Sequence, residues 1–147
     1  MQIRQAVETD IPSVLSLYAQ IEQEKERTVS LSRAGEIFRQ IESYPNYHIY
    51  VAEQNGVILG TFALAIMDNL AHLGAKSGLI EDVVVDEKHR GGGIGKEMMQ
   101  YAMDICKQNF CYKVCLSSNL KRDSAHRFYE SLGFLKHGFS FQINLDH

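Results

Sequence analysis

The amino-acid sequence predicts an α/β fold in which a mixed, mostly antiparallel sheet is flanked by helices. Residues 48–53 and 57–67 are rich in β-forming side chains and are joined by Gln54-Asn55-Gly56. Because an Asn-Gly pair accepts the positive φ angles of a tight turn, these two segments are predicted to form an antiparallel hairpin. Farther along the chain, the hydrophobic pattern predicts a strand, a helix and a second strand at residues 78–85, 93–109 and 113–117.

The segment before the hairpin is predicted to contain one strand and two helices. Residues 1–6 form the strand. Asp10 is then suited to cap a helix whose apolar stripe reaches Ile21, and Pro12 fits the first turn of that helix. A second helix covers residues 32–43 and ends before Pro45, because the position before a proline disfavours helix.

The C-terminal part of the chain is predicted to contain one helix and one or two strands. Residues 122–132 have the helical pattern, and Gly133 follows at the position where helices favour a left-handed residue. Residues 134–145 can supply the final strands. The apolar run at residues 78–85 predicts a strand that is buried on both faces.

Length and composition indicate one globular domain over residues 1–147, since the chain is long enough to bury a core and lacks repeats and linkers. Acidic residues outnumber basic ones by 18 to 15, so nucleic acid is not an expected partner. No stretch approaches the roughly 20 apolar residues of a membrane span, so we expect a cytoplasmic protein without membrane association. The spacing of Cys106, Cys111 and Cys115 fits neither a disulfide framework nor a zinc site, so we expect reduced thiols and no metal.

The strongest local motif is the run Arg90-Gly91-Gly92-Gly93-Ile94-Gly95-Lys96, which lies between the predicted buried strand and a helix. Successive glycines let backbone N–H groups turn inward, and the helix start adds further N–H groups, so the loop is suited to a pyrophosphate. The loop does not match a Walker motif, because Lys96 is followed by Glu97 instead of a hydroxyl residue. It also lacks the last glycine of a dinucleotide-binding motif. Tight packing of strand and helix is the alternative role of such a loop.

These residues resemble the motifs of GNAT acetyltransferases. Arg90, Gly93 and Gly95 match the R/Q-x-x-G-x-G/A pyrophosphate motif of that family, directly after a valine-rich strand. A second segment is similar to the later helix of the family through Asn119, Ser124, Ala125, Arg127, Phe128, Tyr129, Gly133 and Phe134. The start of the chain, from Ile3 to Ile11, is also similar, so the resemblance covers nearly the whole chain and implies a single-domain GNAT fold that uses acetyl-CoA.

The resemblance implies where acetyl-CoA binds. The strands at residues 78–85 and 113–117 are expected to splay apart around the pantetheine arm, with a backbone N–H polarising the acetyl carbonyl. The implied cofactor-binding residues are Val83, Val84, Val85, Arg90, Gly91, Gly92, Gly93, Ile94, Gly95, Lys96, Asn119, Ser124, Arg127 and Phe128.

Two residues are catalytic candidates. The resemblance implies Tyr129 as the general acid that protonates the leaving thiolate, although Phe128-Tyr129 is also the kind of pair that packs in a core. Glu81 is the candidate general base, because partial burial would raise its pKa toward a useful value. Strand alternation places Asp82 on the opposite face, so at most one of the two carboxylates is expected to face the substrate. A structural role for Glu81, with a water chain as base, remains open.

The expected reaction is direct acetyl transfer in a ternary complex, from acetyl-CoA to a primary amine of a small molecule. Residues 78–85 and 111–114 resemble glucosamine phosphate N-acetyltransferases, whereas residues 116–129 resemble aminoalkylphosphonate N-acetyltransferases. Glu22, Glu24 and Glu26 are available to attract a cationic acceptor, and the resemblance allows a homodimer. A protein or peptide N-acetyltransferase and a non-catalytic acyl-CoA sensor are the alternatives.

Overall fold

A computed structural model of the protein describes residues 1–21 and 28–145. The chain divides into two compact units, Met1–Cys115 and Leu116–His147. In the described ranges the strands are β1 Gln2–Gln5, β2 Tyr47–Gln54, β3 Val57–Met67, β4 Lys76–Val85 and β5 Cys111–Leu116. The α-helices of the same ranges are α1 Ile11–Tyr18, α2 Leu31–Glu42, α3 Ile94–Gln108 and α4 Asp123–Ser131.

The five strands form one mixed sheet in the order β1-β2-β3-β4-β5. The first four pair antiparallel with their neighbours in sequence. The turn between β2 and β3 has positive φ at both Asn55 (52°) and Gly56 (78°). The predicted hairpin, the strand-helix-strand order after it and the α/β class are therefore confirmed.

Helices α1 and α2 cover one face of the sheet. Their buried side chains include Val14 and Phe38, which belong to a core cluster with Val51 of β2. Helix α3 also packs on the sheet, and its residues Met98, Met99 and Ala102 are 0% exposed. Glycine at position 60 of β3 permits this close approach, because a Cβ there would lie only 2.8 Å from the sulfur of Met98.

Asp10 is the N-cap residue of α1, as predicted, but its side chain makes no capping hydrogen bond to that helix. Its carboxylate instead accepts hydrogen bonds from Arg4 Nη1 at 2.7 Å and from the backbone N–H of Val7 at 2.8 Å. The Arg4 guanidinium lowers the pKa of Asp10. The reason is geometric: β1 runs so close to the start of α1 that the cation competes successfully for a carboxylate that is nearly buried.

In the second unit, α4 ends as predicted, with Gly133 at φ 95° and its N–H bonded to the carbonyl of Glu130 at 3.0 Å. The prediction of strands within residues 134–145 is wrong, because the structure has no strand there. The apolar residues alternate in the strand pattern, yet Phe139, Phe141 and Ile143 are each more than 80% exposed. Alternation indicates a strand only where a neighbouring strand supplies hydrogen bonds, and this segment pairs with no strand in the described ranges.

Cys106, Cys111 and Cys115 are free thiols. Cys106 is buried in α3, and burial raises the pKa of its thiol to about 12. None of the helices within residues 1–21 and 28–145 has the length and apolar character that a membrane crossing requires.

Candidate active site

The central feature of the candidate site is a β-bulge in β4. Ala63 of β3 pairs with Glu81, whereas Thr61 pairs with Val84, so one residue of β3 stands opposite two residues of β4. Asp82 takes the left-handed backbone conformation at this point, with φ 52°. A bulge of this kind interrupts the alternation of side chains between the two faces of a strand.

The bulge places both carboxylates of β4 on the same side. Ala63, the β3 partner of Glu81, lines the same cavity as Asp82, so both carboxylates lie on that face of the sheet. Burial raises the pKa of the Tyr47 hydroxyl, and the charges of Asp82 and Glu81 raise it further. Asp82 also acts on Tyr18, whose pKa is raised mainly by burial. The prediction that Asp82 points to the face opposite Glu81 is therefore wrong, because it assumed a regular strand. Which of the two carboxylates faces the substrate stays a prediction.

Glu81 has the electrostatic environment of a candidate base. The residue is largely exposed, but partial burial of its carboxyl raises its pKa, and the neighbouring charge of Asp82 adds to this effect. The first cause is desolvation of the carboxylate, and the second is repulsion between two negative charges. Both causes favour a carboxyl that exchanges protons closer to neutral pH than an ordinary glutamate.

An apolar cavity of about 190 Å³ opens beside the bulge, between the sheet and helices α1 and α2. Its walls include Phe38, Ile49 and Ala63, and its polar lining includes Tyr18, Tyr47 and Asp82. The cavity therefore combines apolar walls with a carboxylate, which suits an organic cation of small size. Sequence reasoning missed Tyr18 and Tyr47 as cavity residues and placed Asp82 on the face opposite Glu81, because a positive φ at Asp82 leaves no mark in the sequence.

The glycine-rich loop follows β4 and leads into α3. Gly91 and Gly93 have φ values of 82° and 90°, which L side chains rarely adopt. Gly93 is the N-cap of α3, and no side chain caps this helix. The first N–H groups of α3 are thus not occupied by a side-chain cap, and Gly93 leaves open space around its Cβ position. The positive φ values and the N–H groups without a side-chain cap fit a pyrophosphate. Together with the preceding residues Val83, Val84 and Val85, they fit acetyl-CoA.

The end of β4 is fixed by a small polar network. Asp86 accepts a hydrogen bond from Gln20 Nε2 at 3.0 Å, and its other oxygen lies 2.7 Å from His89 Nδ1. Gln20 Oε1 in turn accepts from the backbone N–H of Glu87 at 2.9 Å. Arg90 donates from Nε to the carbonyl of Val85 at 3.2 Å, so its guanidinium folds back onto the strand end. Gln20 and Asp86 thereby support the start of the loop, a role that sequence reasoning did not find.

The remaining cofactor candidates of the loop differ in exposure. Ile94 is buried, so that only its backbone is suited to a ligand, whereas Gly92 and Lys96 are exposed. Gly95 lies in the first turn of α3. The first unit therefore brings together Glu81, the valines at 83–85 and the loop at 90–96 along one strand and its continuation.

The second unit carries the other candidate residues. Tyr129 is buried, with its ring 5.2 Å from that of Phe128 and 5.8 Å from that of Phe134. Burial raises its pKa, against a smaller lowering effect of Arg122, so the phenol stays protonated at neutral pH and can donate a hydrogen bond. Ser124 and Arg127 are exposed on α4.

Asn119 serves a local turn. Its Oδ1 accepts from the backbone N–H of Lys121 at 2.9 Å, and its backbone carbonyl lies 2.8 Å from His126 Nε2. Its role as a ligand residue stays a prediction. Glu22, Glu24 and Glu26, which were predicted to attract a cation, lie outside the described residues.

Comparison with known proteins identifies the class. The model of the acetyltransferase (GNAT) family matches residues 12–134, which is most of the chain. The protein belongs to the GNAT family and is an acetyl-CoA-dependent N-acetyltransferase, as the two sequence motifs predicted.

Individual relatives and solved structures are similar to this chain over nearly its whole length. The chain is 30% identical over 146 residues to a glucosamine 6-phosphate N-acetyltransferase of Trypanosoma brucei brucei, covering 99% of this chain and 96% of that protein. It is 30% identical over 140 residues to an aminoalkylphosphonate N-acetyltransferase of Salmonella typhimurium, covering 95% and 88%. Among solved structures, the glucosamine-6-phosphate N-acetyltransferase of Arabidopsis thaliana superimposes with a TM-score of 0.86 at 30% identity, covering 99% of this chain and 98% of that one.

Substitution of Gly93 by alanine tests the role of the loop. We expect Gly93→Ala to weaken binding of acetyl-CoA at least tenfold in isothermal titration calorimetry, because the side chain disfavours the left-handed cap that points the N–H groups at the ligand. Gly56→Ala is the matched control, since Gly56 also has positive φ but lies in the β2–β3 turn. Both variants should lose about 1 kcal/mol of stability. Equal acetyl-CoA affinity in the two variants would contradict a ligand role for the loop.

Proposed function

We propose that this protein transfers the acetyl group of acetyl-CoA directly to the primary amine of a small molecule, in a ternary complex without a covalent enzyme intermediate. The observation that carries the proposal is the bulge of β4, which places Glu81 and Asp82 on the same face of the sheet, where Asp82 lines a cavity. A candidate base and a candidate phosphate-binding turn are thereby joined by the segment 82–89, which includes Val83, Val84 and Val85. Acetyl-CoA supplies the activated acetyl thioester.

The loop and the strand end bind and orient the donor in this proposal. The N–H groups of the loop and of the first turn of α3 hold the pyrophosphate, with Arg90 and Lys96 adding positive charge. A backbone N–H of the Val83–Val85 segment donates a hydrogen bond to the acetyl carbonyl oxygen and stabilises negative charge as it develops there. Asn119, Ser124, Arg127 and Phe128 are proposed to contact the donor from the second unit.

Glu81 removes the proton that blocks attack by the amine. A primary amine is mainly protonated at neutral pH, and only the neutral form has the lone pair needed for attack. The raised pKa of Glu81 matches this task better than an ordinary carboxylate would. Asp82 lines the cavity and stabilises the cationic form of the acceptor before the proton leaves.

Tyr129 supplies the proton at the end of the reaction. The departing group is a thiolate, and a protonated phenol can donate a hydrogen bond or a proton to it. Burial of Tyr129 keeps the hydroxyl protonated, as this role requires.

Acceptor chemistry is suggested by the cavity and by the names of the relatives. Glucosamine 6-phosphate and aminoalkylphosphonates are both small primary amines with an anionic group. A cavity of about 190 Å³ with Asp82 in its lining supports binding of the cationic amino end of an acceptor. The assignment of residues 1–147 to a single domain stays a prediction. The cytoplasmic location and the homodimer also stay predictions.

An acceptor screen tests the function. Acetyl-CoA consumption should be measured with amino sugars and their phosphates, aminoalkylphosphonates, polyamines, aminoglycosides and peptides. We expect turnover with a small primary amine and none with its N-acetylated form. Turnover confined to peptides would replace the small-molecule proposal, and binding of acetyl-CoA without turnover of any amine would favour the sensor alternative.

Replacement of Tyr129 by phenylalanine tests the general acid. We expect Tyr129→Phe to lower kcat by on the order of 10²-fold or more while the Kd of acetyl-CoA changes little, because the ring contacts with Phe128 and Phe134 are kept and only the hydroxyl is lost. The control is Tyr44→Phe, which removes an exposed hydroxyl. If Tyr129→Phe turned over as fast as the control, another group would have to protonate the thiolate.

The pH dependence of kcat/KM tests Glu81. In the wild-type enzyme, activity should fall as pH drops through the raised pKa of Glu81, because the protonated carboxyl cannot accept a proton. Glu81→Gln should abolish this limb and lower activity at all pH values, whereas the exposed neighbour variant Glu87→Gln should keep the wild-type profile. A Glu81→Gln enzyme with an unchanged profile would leave a water chain as the base.

A further inference from the structure

A second cavity, of about 300 Å³, lies on the face of the sheet that α3 covers. We call it the α3 cavity. Its apolar lining consists of Leu64, Ile66 and Ile105, and its polar lining consists of Gln5, Asn46, His48, Tyr50, Tyr101 and Asn109. All of these residues belong to the first unit.

The sheet separates the α3 cavity from the candidate active site. Successive residues of a strand point to opposite faces. Ala63 lines the apolar cavity beside Asp82, whereas the next residue, Leu64, lines the α3 cavity. In β2 the same relation holds between Tyr47 and His48. The α3 cavity is therefore not a continuation of the acceptor pocket.

The polar groups of the α3 cavity include two that are deeply placed. Tyr50 is only 4% exposed, and burial raises its pKa, so its hydroxyl is a neutral donor and acceptor. His48 Nδ1 is buried without a hydrogen-bond partner among the described residues. The Glu42 carboxylate oxygen lies 3.9 Å from this nitrogen, which is beyond hydrogen-bond length.

The lining indicates the chemistry of an occupant. No Asp, Glu, Lys or Arg is present among the described residues that line the cavity, so a strongly charged ligand finds no counter-charge there. Phenol and amide groups both donate and accept hydrogen bonds, as hydroxyl groups do. A volume of this size is at the lower end for small-molecule sites, which start at about 300 Å³.

We propose that the α3 cavity binds an uncharged polyhydroxy molecule with the size of one sugar ring or cyclitol. Its hydroxyls exchange hydrogen bonds with Tyr50, Tyr101 and His48, and its carbon skeleton rests on the apolar floor. This site is additional to the acetyl-acceptor pocket. Since Tyr101 and Ile105 belong to α3, whose first turn follows the glycine-rich loop, an occupant would contact the same helix from which the loop extends.

Titration by NMR tests this proposal without involving catalysis. ¹⁵N-labelled full-length protein, free of acetyl-CoA, should be titrated with methyl α-glucoside, myo-inositol and glycerol. None of these probes has an amine, so the result is independent of the acetyl-transfer proposal. We expect saturable shifts in the amides of residues 46–50 and 101–109 with the ring-sized probes. Absence of a saturable shift with every probe, even at tens of millimolar, would overturn the proposal.

Two single-hydroxyl variants make the test specific. Tyr101→Phe keeps the ring and removes one hydrogen-bonding group from the cavity, so the Kd should rise about two- to tenfold. Tyr112→Phe removes an exposed hydroxyl elsewhere and should leave the Kd unchanged. Thermal melting of both variants checks that they are folded. Equal binding by the two variants would mean that the probe binds outside the α3 cavity, and this result would also overturn the proposal.

Discussion

The candidate site depends on one backbone constraint, the left-handed conformation of Asp82 in the β4 bulge. In a regular strand Glu81 and Asp82 would point to opposite faces, and the two carboxylates would not share a pocket. The extra residue brings both of them to one face of the sheet and shifts the pairing so that Val84 lies opposite Thr61. A non-glycine residue at positive φ carries a conformational cost on the order of 1 kcal/mol or more, which the pairing on both sides of the bulge must offset.

The glycine-rich loop depends on where β4 ends. Asp86 is held by Gln20 from the segment after α1 and by His89, which directly precedes the loop at residues 90–96. Arg90 adds a bond to the carbonyl of Val85. A turn fixed in this way can keep its N–H groups pointed outward before a ligand arrives, which lowers the cost of ordering on binding.

Local sequence patterns predicted most of the fold and the loop, because they are encoded in neighbouring residues. Asn55-Gly56 specifies its turn by itself, and the run from Arg90 to Lys96 matches a family motif by itself. The bulge could not be predicted in this way, since it depends on the register between β3 and β4. Asp10 and residues 134–145 show the same dependence on distant parts of the chain. The Asp10 carboxylate binds Arg4 and does not cap the helix. The alternating segment at residues 134–145 has no partner strand in the described ranges.

The most direct test of the bulge is the pKa of the Glu81 carboxyl, measured by ¹³C NMR in the wild-type protein and in Asp82→Asn. Two carboxylates on one face predict a wild-type pKa above the ordinary value of about 4.3, and a lower value once the charge at position 82 is removed. An ordinary pKa that does not respond to Asp82→Asn would contradict the account, because the two side chains could not then share the site.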